Sequence, residues 1–315
     1  MHEELEWVSL TPALVVVATG QGRWFLHRPS DVAFGDPFLL PMSEDGTRTT
    51  TQGLLDGAVC AGVARPPGLS SDPVPLTLAM LLYSLVSSYH TTHRTPATFR
   101  IAARRAAVLG RRELAQFLER KARHESGHDQ LALQDLRELG LPADRLVEEL
   151  RPGTALALLQ FFETSAQGDN PAGCLGYTYC LERLALLRGL VEIEAVRKIS
   201  PSGADPTRFL RVHSSVGSDA RHVESLVDFI VSLPASDRIL IAQTAYRTAV
   251  LMVQHIYQDL ATIKEEINQA FGRIGGASSH WLHSGETSTH VQPSPSSTAR
   301  ALRRSAVSKP SVNQS

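Results

Sequence analysis

The chain has 315 residues, enough for one large or two modest domains with a sizeable core. Its apolar share of 43% is that of a globular protein, and a net charge of −1 lacks the basic excess of a nucleic-acid or membrane-surface binder. Three cysteines, Cys60, Cys174 and Cys180, form no CxxC and no even framework; they exclude a disulfide scaffold and predict reduced thiols in a cytoplasmic protein.

The start, Met1-His-Glu-Glu-Leu-Glu, is acidic where a signal peptide is basic. Leu14-Val-Val-Val-Ala, a Gly20-Gln-Gly turn and Trp24-Phe-Leu-His predict a β-hairpin. Glu44-Asp-Gly-Thr and a short helical pattern from Leu54 to Val63 follow, and then a linker, Arg65-Pro-Pro-Gly-Leu-Ser-Ser-Asp-Pro. The longest apolar run, near Leu76–Val86, is too short to span a bilayer. From about 75 to 272 only helical signals occur, over about 75–91, 96–108, 111–139, 143–165, 172–198, 206–232 and 235–272. Prolines 142, 152, 171, 201, 206 and 234 punctuate them. The Ser-, Thr- and Pro-rich remainder predicts a disordered tail. Three units follow: a small N-terminal segment over 1–70, a helical bundle over 71–272 and the tail over 273–315.

Three helical stripes carry acids and histidines where Leu or Ile belongs. They are Leu114–Leu118–Ala122–Glu125–His128–Ala132–Leu136–Leu139, Leu175–Tyr179–Glu182–Ala185–Leu186, and Val216–Asp219–His222–Val223–Leu226–Phe229–Ile230–Leu233. Spacing by three and four marks the core-facing side of a helix, so Glu125, His128, Glu182, Asp219 and His222 are predicted to point inward. An unpaired buried carboxylate costs several kcal/mol, so a positive partner is required. Arg and Lys are absent from the three stripes as written, which makes a metal cluster the economical partner. Two acid-x-x-His pairs, Glu125–His128 and Asp219–His222, with further inward acids are the pattern of di-iron and di-manganese carboxylate bundles. Carboxylates with imidazoles and no thiolate suit iron or manganese, and His213 is a candidate further nitrogen ligand. Like-charge crowding predicts that Glu182→Leu leaves the metal-free fold as stable or more so.

The ordered set Glu125-Ser-Gly-His128, then Leu175-Gly-Tyr-Thr-Tyr-Cys-Leu-Glu182, then Phe209-Leu-Arg-Val-His213 through Asp219-Ala-Arg-His222 resembles the haem-oxygenase-like di-iron oxidases. The resemblance covers about residues 75–260. It implies an all-α, haem-oxygenase-like helical bundle, here with a small N-terminal α/β appendage. It also implies two Fe(II) ions held by Glu125, His128, Glu182, His213, Asp219 and His222, with dioxygen as co-substrate and no catalytic residue beyond the ligands. The implied activity is oxidation of a small amino-acid-like, fatty-acid-like or peptide-borne substrate. The expected partners are a small-molecule or peptide substrate and a second copy in a homodimer, with no nucleic acid and no membrane. The family reads His-x3-Asp-x2-His, whereas five residues separate His213 from Asp219 here. Both can be ligands only if the chain between Ser214 and Ser218 departs from regular helix.

Other readings compete. His124-Glu125-Ser-Gly-His128 spells the HExxH of zinc peptidases, with His124 and His128 as ligands and Glu125 as base, but leaves Glu182 and Asp219–His222 unused. A cofactor-free bundle that binds a small molecule or peptide without turnover is a second alternative. A ferritin-like bundle is a third, and needs another lone glutamate. The N-terminal segment loosely resembles the winged-helix peptide-recognition modules of peptide-modifying enzymes; its alternative is a hairpin cap packed on the bundle.

Overall fold

The computed structural model describes residues 4–29, 35–40, 42, 46–64, 76–214 and 219–274. The expected linker and all but the first two residues of the expected tail lie outside them. The predicted hairpin is present as β2 (Leu14–Thr19) and β3 (Trp24–His27). A strand that the pattern did not reveal, β1 (Leu5–Thr11), completes an antiparallel meander in the order β1-β2-β3. Val16 of β2 pairs with Val8 on one side and Leu26 on the other. Val15, Val16, Val17 and Ala18 are fully buried, as a central strand covered by a helix must be.

That helix, α1 (Arg48–Gly62), opens on a reciprocal Thr47/Thr50 capping box. The bundle follows: α2 (Leu78–His93), α3 (Thr95–Val108), α4 (Arg112–His124), α5 (His128–Glu138), α6 (Ala143–Glu149), α7 (Gly153–Gln167), α8 (Gly173–Ile199), α9 (Arg208–Val212), α10 (Asp219–Val231) and α11 (Ala235–Ile274). The all-α expectation holds, but three predicted helices are each divided. The segment 111–139 breaks at Gly127, which adopts φ 90°. The segment 143–165 breaks where Leu150 turns extended two residues before Pro152. The segment 206–232 ends its first helix at Val212, and His213 has left helical geometry at ψ 44°.

Two apolar clusters fill the interior. The first gathers β1, β2, α1, α3, α4, α7, the start of α8, α10 and the first half of α11 around residues such as Phe99, Leu118, Phe162 and Ile241. The second gathers α2, α5, α6, the end of α8 and the end of α11 around Val86, Leu136, Leu146 and Ile267. The forty-residue α11 runs through both. The break between α4 and α5 falls where the chain passes from one cluster to the other. So does the non-helical Gly189 inside α8.

Two buried ion pairs tie the sheet and α1 to the bundle. Glu6 of β1 accepts from Arg238 Nε of α11 at 2.6 Å and from the Thr51 hydroxyl at 2.7 Å. Asp56 of α1 accepts from Arg183 Nε at 2.7 Å and the Tyr179 hydroxyl at 2.8 Å, both from α8. The appendage therefore shares one core with the bundle.

Candidate functional site

Glu125 and His128 lie at a helix break. Glu125 caps α4, Gly127 takes the left-handed conformation that a side chain resists, and His128 opens α5. The two still meet, with Glu125 Oε2 3.1 Å from His128 Nδ1. The expected contact is present although the continuous helix that motivated it is not. The same break undoes the HExxH geometry, which needs His124 and His128 on one face of an unbroken helix. His124 is exposed and stacks on His222 of α10, ring centroids 5.4 Å apart.

Glu182 comes from α8 and is 7% exposed, inward as its stripe predicted. His213, just past α9, puts its ring edge-on to His128 at 4.7 Å between centroids and packs on Phe209 at 4.4 Å. Ending α9 at Val212 is what frees His213 to reach this place; the departure from helix expected between Ser214 and Ser218 falls on residues 215–218, outside the described residues. Asp219 begins α10, but its side chain lies outside the described residues. Glu125, His128, Glu182 and His213 are thus brought together. His222 is placed by its stack on the exposed His124.

The positive group missing from the stripes is Lys121. It is 5% exposed; its ammonium bonds to Glu182 Oε1 and stands 3.6 Å from Glu125 Oε1. The reading that a metal is the economical partner, because no Lys or Arg stands among these acids, is therefore corrected. A stripe read as Leu114–Leu118–Lys121–Glu125 keeps the same three-and-four spacing and would have exposed the lysine. Burial pushes the Glu125 carboxyl up, but the hydrogen bond to His128 and the charges of Lys121, His128 and His213 outweigh it and hold it below the usual value. Burial, followed by the His222 and Lys121 charges, lowers the His124 imidazole.

The acids open on a cavity of about 220 Å³, lined by Glu125, Glu182 and His213 at one end, with Phe99, Leu181, Leu184 and Met252 among its apolar walls. Two lining residues were not foreseen. Tyr177 is 3% exposed, its ring stacks on Phe162 at 4.2 Å, and its buried hydroxyl has no hydrogen-bond partner. Burial first, then Cys180 and Glu125, push its phenol up, so it keeps its proton. Glu192 lines the same cavity, and its Oε2 is buried without a hydrogen-bond partner.

Carboxylate oxygens and imidazole nitrogens from Glu125, His128, Glu182 and His213 are the donor types that iron takes. Their cation is at present Lys121, and among the described residues no three acids, histidines or cysteines stand at metal-holding distance. The donor set fits iron in kind, on condition that Lys121 yields its carboxylates.

Comparison with known proteins places the chain. No curated protein matches it. A haem-oxygenase-like domain of unknown function from Shewanella denitrificans shares 18% identity with a TM-score of 0.49, over 74% of this chain and 94% of that one. A TenA homologue from Pseudomonas syringae pv. tomato shares 11% identity with a TM-score of 0.49, over 70% of this chain and all of the other. The haem-oxygenase-type family model described as iron-containing redox enzyme matches residues 83–253, the span from α2 to α11 that carries every site residue named above. This protein belongs to the iron-containing redox enzymes.

Proposed function

We propose that the protein is a non-haem di-iron oxidase that uses dioxygen to oxidise a small amino-acid-like, fatty-acid-like or peptide-borne substrate in the cavity between the two cores. The observation that carries this reading is the meeting of Glu125, Glu182 and His213 on that cavity, with His128 against Glu125 and His213, within an iron-containing redox family. These four would hold one iron; His222, with Asp219 beside it in sequence, would hold the other. Iron bound there supplies the electrons that reduce dioxygen.

The chain's own residues have separable tasks. Glu125 stays ionised under the influence of His128, Lys121 and His213, ready to accept a cation without first losing a proton. Lys121 holds the two carboxylates together in the metal-free protein, so metal binding exchanges one cation for another. The walls made by Phe99, Leu181, Leu184 and Met252 keep bulk water from the reacting end. Tyr177 holds its proton at the phenolic oxygen and offers it as a hydrogen bond.

A cofactor-free binding bundle is the second reading, and Lys121 favours it, because the acids are already neutralised without metal. Anaerobic titration with Fe(II), read by metal analysis and oxygen uptake, separates the two. About two Fe(II) per chain and oxygen consumption on addition of air are expected. A chain that retains no iron and consumes no oxygen supports the cofactor-free bundle instead, and one tightly held zinc with peptidase activity would revive HExxH.

A further inference from the structure

Glu182 and Glu192 are ten residues apart on α8, and on an ideal helix they would point about 80° apart. They line one cavity nonetheless. Between them Gly189 takes φ 33°, ψ −128°, a conformation open to glycine, and the helix is re-aimed there. A carboxylate is thus directed into the cavity no more than about 15 Å along the helix from Glu182. Its Oε2 is buried and accepts no hydrogen bond. Lys121 serves Glu125 and Glu182, and Glu192 is the further carboxylate of the lining, with its buried Oε2 unbonded. At the other end Tyr177, buried and protonated, has a donor with nothing to accept it. Buried polar atoms left in this way cost stability unless a ligand satisfies them.

We propose that Glu192 is a specificity-determining residue and that the substrate is an elongated amine. Its ammonium is held by Glu192, its apolar middle lies along Leu181, Leu184 and Ala185, and an oxygen at its reacting end accepts from Tyr177. The proposal deepens the oxidase reading and rests on it for which end reacts. The amine site itself is independent of iron. A fatty acid in the same place would set its carboxylate against Glu192, with uncharged hydroxyls such as those of Tyr177, Ser84 and Ser88 to receive it, while the nearby Lys121 ammonium is already engaged by Glu125 and Glu182. The amine class is therefore selected over the fatty-acid class.

The test uses metal-free full-length chain with n-octylamine and octanoate, probes of equal chain length and opposite charge at about pH 7.5. Calorimetric titration is expected to give octylamine at least about tenfold tighter binding than octanoate. Glu192→Gln, which keeps shape and removes charge, is expected to lose about that factor for octylamine while melting no lower than the parent chain. Equal binding of both probes, binding of neither, or an amine preference that survives Glu192→Gln overturns the proposal. Because no metal is present, failure to load iron in a separate titration sinks the oxidase reading without touching this one.

Discussion

Lys121 decides the energetics of the site at the scale of single residues. It is itself 5% exposed in α4, and its ammonium lies between two acids whose own exposures are 8% and 7%. Removing one partner of a buried pair leaves the other charge uncompensated, at a cost of about 3–5 kcal/mol. Lys121→Met is therefore expected to destabilise the metal-free protein by that amount in chemical denaturation, and Fe(II) is expected to restore much of it. Glu182→Leu, expected from sequence to be harmless without metal, now removes the closer partner of a buried ammonium. It should also destabilise the metal-free fold, by at least about 1–3 kcal/mol, since Glu125 remains at 3.6 Å. A Lys121→Met chain as stable as the parent would show that the lysine is incidental.

At the scale of elements, the candidate site sits where helices stop. Glu125 and His128 straddle the α4–α5 break, His213 follows the end of α9, and Glu192 follows the interruption of α8. A regular helix brings together only side chains three or four residues apart, so donors at other spacings on one stretch of chain converge only if that stretch is broken. Gly127 is the cheapest residue to test. A Cβ added there meets nothing within 4 Å, so any effect of Gly127→Ala comes from its φ of 90° and not from crowding. A loss of about 1–2 kcal/mol is expected, with weaker Fe(II) retention as the Glu125–His128 contact loosens. Unchanged iron affinity in a destabilised variant would separate the break from metal binding.

At the scale of the whole molecule, the sheet and α1 are held to the bundle by charge as well as by apolar contact. Arg238 and Glu6 are both almost entirely buried and bonded to each other, and Asp56 receives both Arg183 and Tyr179. Cutting such pairs is expensive, so the two parts are expected to unfold together. Trp7 and Trp24 lie in the strands and report on the sheet by fluorescence, while far-ultraviolet circular dichroism reports on the bundle. Coincident melting by both probes is expected, and Arg238→Met should lower both midpoints together. A fluorescence transition at lower temperature would show that the sheet detaches first. None of the described helices is long and apolar enough to cross a membrane.

The helical bundle, most of its element boundaries and the inward placement of Glu125 and Glu182 were legible in the sequence, because amphipathic periodicity is a local property that burial enforces. So was the company of Glu125 and His128, which a three-residue separation brings close in a helix or across a tight break. Strand β1 escaped because Leu5-Glu-Trp-Val-Ser-Leu buries a glutamate that distant partners, Arg238 232 residues away and the Thr51 hydroxyl 45 residues away, make tolerable. Lys121 escaped because its burial depends on Glu182 arriving from another helix, and a lysine beside an apolar stripe reads as solvated until that partner is placed. Glu192 and Tyr177 carry no pattern at all. Their meeting in one cavity depends on where α8 bends and which walls close around it, and those are relations between distant segments that only the folded chain contains.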